Sequence, residues 1–258
     1  MHRLYYMLLG VLNKETSDSV DYIIALHILR YMSVLDGVSI QELADSCMVS
    51  KSTISRFCRK IGLEDYGDLM EEIHAAAHPQ QGDFIVPAYD GSLEEYLHKT
   101  EEAVVSLRES LNTSQIERIA YEIAHHETVY VMGTMQAYNP AASLQADLAI
   151  YGKTVFAPSV FTHQAQAVHR AGEEDLLIIF SNSGKFLDRI LMNDEDRESW
   201  KDPVIWLITG NEEIRPDDMI DEVIIVRDNH TYADHPLKFD LISRMIAISY
   251  GKYQKNHS

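Results

Sequence analysis

Two short runs carry side chains able to do chemistry. The apolar residues Ile178, Ile179 and Phe180 stop at Ser181-Asn182-Ser183-Gly184-Lys185-Phe186. Two hydroxyls, an amide and a glycine directly after an apolar run can make an anion cradle. The hydroxyls and backbone N–H groups donate hydrogen bonds, and glycine lets the backbone approach the ligand. The second run, Ser50 to Lys60, holds Lys51, Arg56, Arg59 and Lys60 with no acidic residue, interleaved with Ser52, Thr53 and Ser55. Short hydroxyl side chains near a helix N-terminus suit contacts to phosphates and base edges. Arginine grips guanine or phosphate through two N–H groups at once.

Other titratable groups offer less. His125 and His126 are adjacent, His163 and His169 are six apart, and His230 and His235 flank an acidic loop with Asp228 and Asp234. None of these has the i,i+4 or close spacing of a zinc site, so no metal ligand is expected. The acid clusters at 193–199 and 210–218 read as solvated loops. Glu174 and Asp175 stand where they would start a strand, and no acid–base pair or catalytic residue is identified. No cofactor is expected.

The elements that must position the two runs differ in kind. Residues 1–77 have helical periodicity throughout, with "VDYIIALHILRYMSVL" apolar at helical spacing and "SIQELADSC" opening on a serine cap. Ser50 caps a helix whose inner face is Ile54 and Phe57. The helix before it offers Leu43 and the small Ala44 for close contact, and Val49 lies between the two. That is a helix-turn-helix, with Ser50, Lys51, Ser52, Thr53, Ser55, Arg56, Arg59 and Lys60 as the DNA-contacting set. Its turn position, usually glycine, is Met48; a positive φ there strains the chain by about 1 kcal/mol.

Residues 78–91, with two prolines and two glycines, read as a linker. Helices are expected near Leu93–Leu111 and Ser114–His125, with Thr113 or Ser114 as the cap of the second and Glu117 at capping-box distance. From Thr128 onward, five short apolar runs ("TVYVM", "TVFA", "DLLIIF", "PVIWLIT", "EVIIV") alternate with helix-length segments, and a final amphipathic helix follows. Continuous hydrophobicity means strands buried on both faces. The fold class is therefore an all-α helix-turn-helix domain (1–77) followed by an α/β domain (92–258) with a five-stranded parallel sheet flanked by helices.

The chain has 258 residues and a formal net charge of −18, so its surface as a whole repels nucleic acid. Residues 1–77 carry 7 basic and 11 acidic residues, and the rest 15 and 29. One basic helix on an acidic body would bind DNA through that face alone. Two cysteines, Cys47 and Cys58, are too few for a disulfide framework, which suggests a reducing cytoplasm. The apolar run after Met1 is expected to be a first helix rather than a signal peptide, and no membrane span is expected.

The run "SIQELADSCMVSKSTISRFCRKIGLEDYGDL", with its S-x-x-T-I-S-R-F and K-I-G motifs and the aromatic Tyr66 after them, resembles the RpiR family of bacterial sugar-responsive transcription regulators. The resemblance implies a sugar-isomerase (SIS) domain over roughly 110–250. There the pattern Ser-x-Ser-Gly-x-Thr holds a sugar phosphate, matched here by Ser181, Asn182, Ser183 and Gly184, with Phe186 in place of the threonine. In the first-strand loop Gly133 and Thr134 fit the family, while Met135 and Ala137 replace glycine or serine. The function so implied is a DNA-binding regulator of sugar metabolism or transport genes, with a palindromic double-stranded operator, a phosphosugar effector and a homodimer or tetramer. Two alternatives stay open: an α/β domain that only dimerises, and a sugar-phosphate isomerase or lyase with a helical extension.

Overall fold

The computed structural model describes residues 3–78, 91–191, 202–227 and 234–257. The chain separates into two compact units, Met1–Val86 and Pro87–Ser258. Most of the expected linker (79–90), the acid cluster at 193–199 and the loop around His230 lie outside the described residues.

The first unit is five helices: α1 (Arg3–Lys14), α2 (Val20–Tyr31), α3 (Ile40–Ser46), α4 (Lys51–Lys60) and α5 (Tyr66–Ala77). Serine and aspartate set the helix starts. The Ser19 hydroxyl accepts from the Tyr22 N–H, and Asp65 accepts from Gly67 and Asp68. At α3, Ser39 and Glu42 satisfy one another's backbone N–H groups in a capping box. The buried faces of all five helices meet in one core around Leu8, Ile28, Leu43, Ile54, Phe57 and Leu69. Ala44 is among the buried residues, where a small side chain lets α3 and α4 close on each other.

The turn between α3 and α4 places Met48 at φ 56°, with the Val49 N–H returning to the Ala44 carbonyl at 2.9 Å. Met48 is 90% exposed, so its side chain contributes little packing to set against the strain. Replacing it with glycine removes about 1–2 kcal/mol of left-handed strain and adds about 0.5–1 kcal/mol of unfolded-chain entropy. Met48→Gly should therefore stabilise the first unit by about 0.5 kcal/mol in chemical denaturation.

The second unit comprises α6 (Leu93–Ser110), α7 (Thr113–His125), β1 (Thr128–Gly133), α8 (Tyr138–Ile150), α9 (Phe161–Arg170), β2 (Asp175–Phe180), β3 (Val204–Thr209), β4 (Glu222–Ile225) and α10 (Asp234–His257). The cap of α7 is Asn112, whose amide oxygen accepts from both the N–H and the hydroxyl of Ser114, so the expected cap lies one or two residues late. All four strands are parallel, in the order β1-β2-β3-β4. One face of the sheet (Val131, Ile178, Phe180, Trp206, Ile208) packs on α7, α8 and α10. The other (Met132, Leu177, Ile179, Leu207) packs with Ala167 and Val168 of α9. Burial on both sides explains the unbroken apolar runs.

The fifth expected strand is not formed. In the run Thr154–Ala157 only Phe156 pairs, through a single parallel bridge to Tyr130. Its N–H reaches Val129 and its carbonyl accepts from Val131, both at 2.8 Å. The chain enters this stretch late, because the Lys153 N–H still closes the end of α8 on Leu148, and it leaves at Pro158, which has no N–H to extend a ladder. The sheet has four strands with a one-residue fringe.

Candidate nucleic-acid interface and strand-end crevice

Helix α4 separates into two faces. Ile54, Phe57 and Cys58 point into the core, and Ser52, Ser55, Arg56 and Arg59 lie on the opposite side, with Lys51 exposed at its first turn. Ser50 holds the N-terminus by accepting from the Thr53 N–H at 3.2 Å, and its hydroxyl also meets those of Ser52 (2.7 Å) and Thr53 (2.9 Å). Arg56 and Arg59 make only light contacts with their own helix, to Thr53 Oγ1 at 3.5 Å and to the Ser55 carbonyl at 3.3 Å. Their guanidinium groups therefore stay available to an incoming phosphate or base. A 480 Å³ groove lined by Val20, Asp21, Val49, Thr53, Arg56 and Lys60 runs beside the helix.

Lys60 departs from the expected set. Its ammonium lies 2.7 Å from Glu15 and 2.5 Å from Asp21. The hydrogen bond from Asp21 leads the effects that raise its pKa. This cation ties the end of α4 to residues preceding and opening α2 instead of facing outward. Two further side chains hold the unit in register. The Tyr66 hydroxyl donates to the Val38 carbonyl at 2.7 Å, and burial pushes its pKa up to about 12. Burial also pushes the Cys58 thiol up to about 11, so it stays a protonated core residue.

In the second unit the crevice follows from the strand order. After β1 the chain crosses to Phe156 on one side of that strand, then returns through α9 to β2 on the other. A parallel sheet opens a crevice at the carboxyl ends of the strands where the winding reverses. Those ends are Gly133-Thr134 and Phe180-Ser181, with Gly133 registered against Phe180. The sheet thus brings Gly133 and Thr134 to the same edge as Ser181, Asn182, Ser183 and Gly184.

Both loops are held from below by side chains not anticipated in the sequence. Gln164 of α9 is 1% exposed, and its amide donates to the carbonyls of Gly133 and Pro158, each at 2.8 Å. The buried Thr209, at the end of β3, donates to the Asn182 carbonyl at 3.1 Å and accepts from the Asn211 N–H. Asn211 in turn donates to the Ser183 carbonyl at 3.2 Å. These partners lie 27 to 31 residues from the loops they hold, and no short-range spacing marks them.

The serine loop is more closed than the family pattern implies. The Gly184 N–H donates to the Ser181 carbonyl at 2.9 Å, and the Lys185 N–H to the Ser183 hydroxyl at 3.4 Å. Gly184 sits at φ 75° with Ile214 of the β3–β4 loop packed on it. Phe186, where the family has threonine, is buried with Leu187, Ile190 and Leu191, and residues 186–190 form turns rather than a helix aimed at the loop. In the first loop, Met135 adopts φ 58° at a position where glycine was expected.

Residues 12–78 match the sequence model of the helix-turn-helix domain of the rpiR family. No curated protein sequence matches the chain. Among solved structures, the sugar isomerase domain of an RpiR transcription factor from Sphaerobacter thermophilus aligns at TM-score 0.51 and 14% identity, over 63% of this chain and 91% of that one. The NanR protein of Vibrio vulnificus, solved with ManNAc-6P, aligns at TM-score 0.46 and 17% identity over 98% of this chain and 94% of its own. A phosphoheptose isomerase from Francisella tularensis aligns at 0.47 and 16%, over 62% and 96%.

Proposed function

We propose, given that residues 12–78 form an rpiR-family helix-turn-helix domain, that the protein is a DNA-binding regulator of sugar-metabolism or transport genes. The observation that carries this reading is the outer face of α4, where Ser52, Ser55, Arg56 and Arg59 stand exposed opposite a fully buried side. Such a helix enters the major groove through its N-terminal half, with phosphate contacts fixing register and arginine reading base edges. Lys51 and Ser50 would reach the flanking backbone.

The α/β unit is read as the assembly and sensing part. Apolar side chains stay exposed along α6 (Leu93, Leu97, Val104, Val105) and at Ile150 and Ile248, which supports a second copy as their partner. A two-fold dimer would place two α4 helices on half-sites about one DNA turn apart, hence a palindromic operator. A sugar phosphate at Gly133, Thr134, Ser181, Asn182, Ser183 and Gly184 would shift the pairing and so the operator affinity. Those six residues bring hydroxyls, an amide and backbone, none titrating near neutrality, which favours binding over proton-transfer catalysis.

A second reading has a specific observation behind it. The N–H groups of Gly184 and Lys185 already have partners within the loop, and Phe186 is core. This favours an α/β unit that assembles without a phosphosugar. Calorimetric titration with a panel of sugar phosphates, followed by operator mobility shift, separates the two. On the sensing reading one ligand gives heat and releases the operator, and Ser183→Ala weakens that ligand by about 10- to 100-fold, the loss of a hydrogen bond to a charged group, while DNA affinity is unchanged. Silence across the panel leaves the assembly reading.

A further inference from the structure

The first unit carries a side-chain cluster outside the DNA face. The chain makes a turn at Leu35–Val38, closed by the Val38 N–H on the Leu35 carbonyl at 3.1 Å, with Gly37 at φ 76° allowing it. Asp36 sits on its corner. Helix α5 packs Leu69 and Ile73 into the core, which brings His74, the next residue along the helix, up against this turn. His78 follows at i+4, at the C-cap of α5, its N–H bonded to the His74 carbonyl at 2.9 Å. The expectation that no histidine pair has metal-ligand spacing, which rested on the other histidines, therefore overlooked His74 and His78.

His74 Nδ1 and His78 Nε2 both approach the same oxygen, Oδ2 of Asp36, at 3.0 Å. Among the described residues this is the one group of three histidine, cysteine or acidic side chains whose ligand atoms all lie within 4.8 Å of one another. The two rings stand 4.7 Å apart. A tetrahedral ion with bonds of about 2.0–2.1 Å needs donor atoms roughly 3.3 Å apart. The cluster is near that spacing and needs only rotamer adjustment to reach it. Each imidazole can lend the nitrogen it now points at Asp36 to a metal by adopting its other tautomer.

We infer that Asp36, His74 and His78 form a binding site for a zinc-like divalent cation, which clamps the end of α5 to the turn before α3. Two imidazoles and one carboxylate match borderline ions such as Zn²⁺ and leave hard cations such as Mg²⁺ poorly served. The two histidine side chains are about two-thirds exposed (65% and 64%), so water completes the coordination and the affinity is micromolar, not that of a closed structural site. His78 is the last described residue before the segment that leads to the second unit. A bound ion therefore fixes the point where the chain leaves the helix-turn-helix.

Isothermal titration of chelator-treated full-length protein with Zn²⁺ at pH 7.5 tests the site, with Mg²⁺ as control. One saturable Zn²⁺ per chain is expected, weakened at least tenfold by Asp36→Asn, His74→Gln or His78→Gln and unaffected by His125→Gln. Zn²⁺ should also raise the melting temperature of the wild type but not of the three variants. No saturable binding, or binding of one Zn²⁺ that survives Asp36→Asn and His74→Gln, overturns the assignment. Operator binding by the metal-free protein is a separate readout, so failure of the site leaves the DNA-binding reading untouched.

Discussion

Replacing Arg56 by alanine should weaken operator binding by about 10- to 100-fold in a mobility-shift assay, leaving helix content and oligomeric state unchanged. Its guanidinium is exposed, makes a single long contact to Thr53 at 3.5 Å, and lies on the side of α4 opposite Ile54 and Phe57. Losing one bidentate arginine contact costs roughly 1–3 kcal/mol. If Arg56 reads a base, the variant loses discrimination at one operator position. If it grips a phosphate, affinity falls evenly across sequences and the salt slope drops by about one. Lys60 supplies the contrast. Its ammonium is already held by Glu15 and Asp21, so Lys60→Ala should cost less than about 1 kcal/mol of stability and change DNA affinity less than Arg56→Ala does. An unaltered shift with Arg56→Ala would take α4 out of the groove.

Gly133→Ala should have the largest effect on the second unit, a loss of about 3 kcal/mol in chemical denaturation, the upper range for forcing atoms into a packed site. A Cβ at this position would lie 2.2 Å from the Ala137 carbonyl oxygen and 2.6 Å from its carbon. Both are backbone atoms of the turn that opens α8, and the Gly133 carbonyl is held from the other side by Gln164. Nothing nearby can move cheaply. Gly184 differs, because its added Cβ would meet the tip of the Ile214 side chain, which can swing aside, so its requirement is mainly the φ of 75°. A wild-type denaturation midpoint for Gly133→Ala would show that the β1 loop yields more easily than its packing implies. A normal first-unit transition beside a lowered second one would confirm that the damage is local to the crevice.

Much of the candidate DNA face was legible in the sequence, because the interactions that build it are short-range. Ser39 with Glu42 and Ser50 with Thr53 are three residues apart, and spacing alone marks such pairs. The same holds for Met48 and Met135. Each stands where glycine was expected, and each takes a φ near +57°, at 56° and 58°. The parallel sheet was legible from its apolar runs, except that "TVFA" has the composition of a strand without the room to pair as one.

What only the tertiary structure decided is which distant side chains meet. Lys60 pairs with Glu15 and Asp21 across 45 and 39 residues, Gln164 reaches back 31 residues to Gly133, and Asp36 meets His74 and His78 across 38 and 42. Capping, turn strain and hydrophobic period act over three or four residues, so the order of residue types along the chain determines them. Whether a lysine faces DNA or its own protein, and whether two histidines and an aspartate share a point in space, depends on how helices pack. That packing is set by the whole core at once, and no local pattern records it.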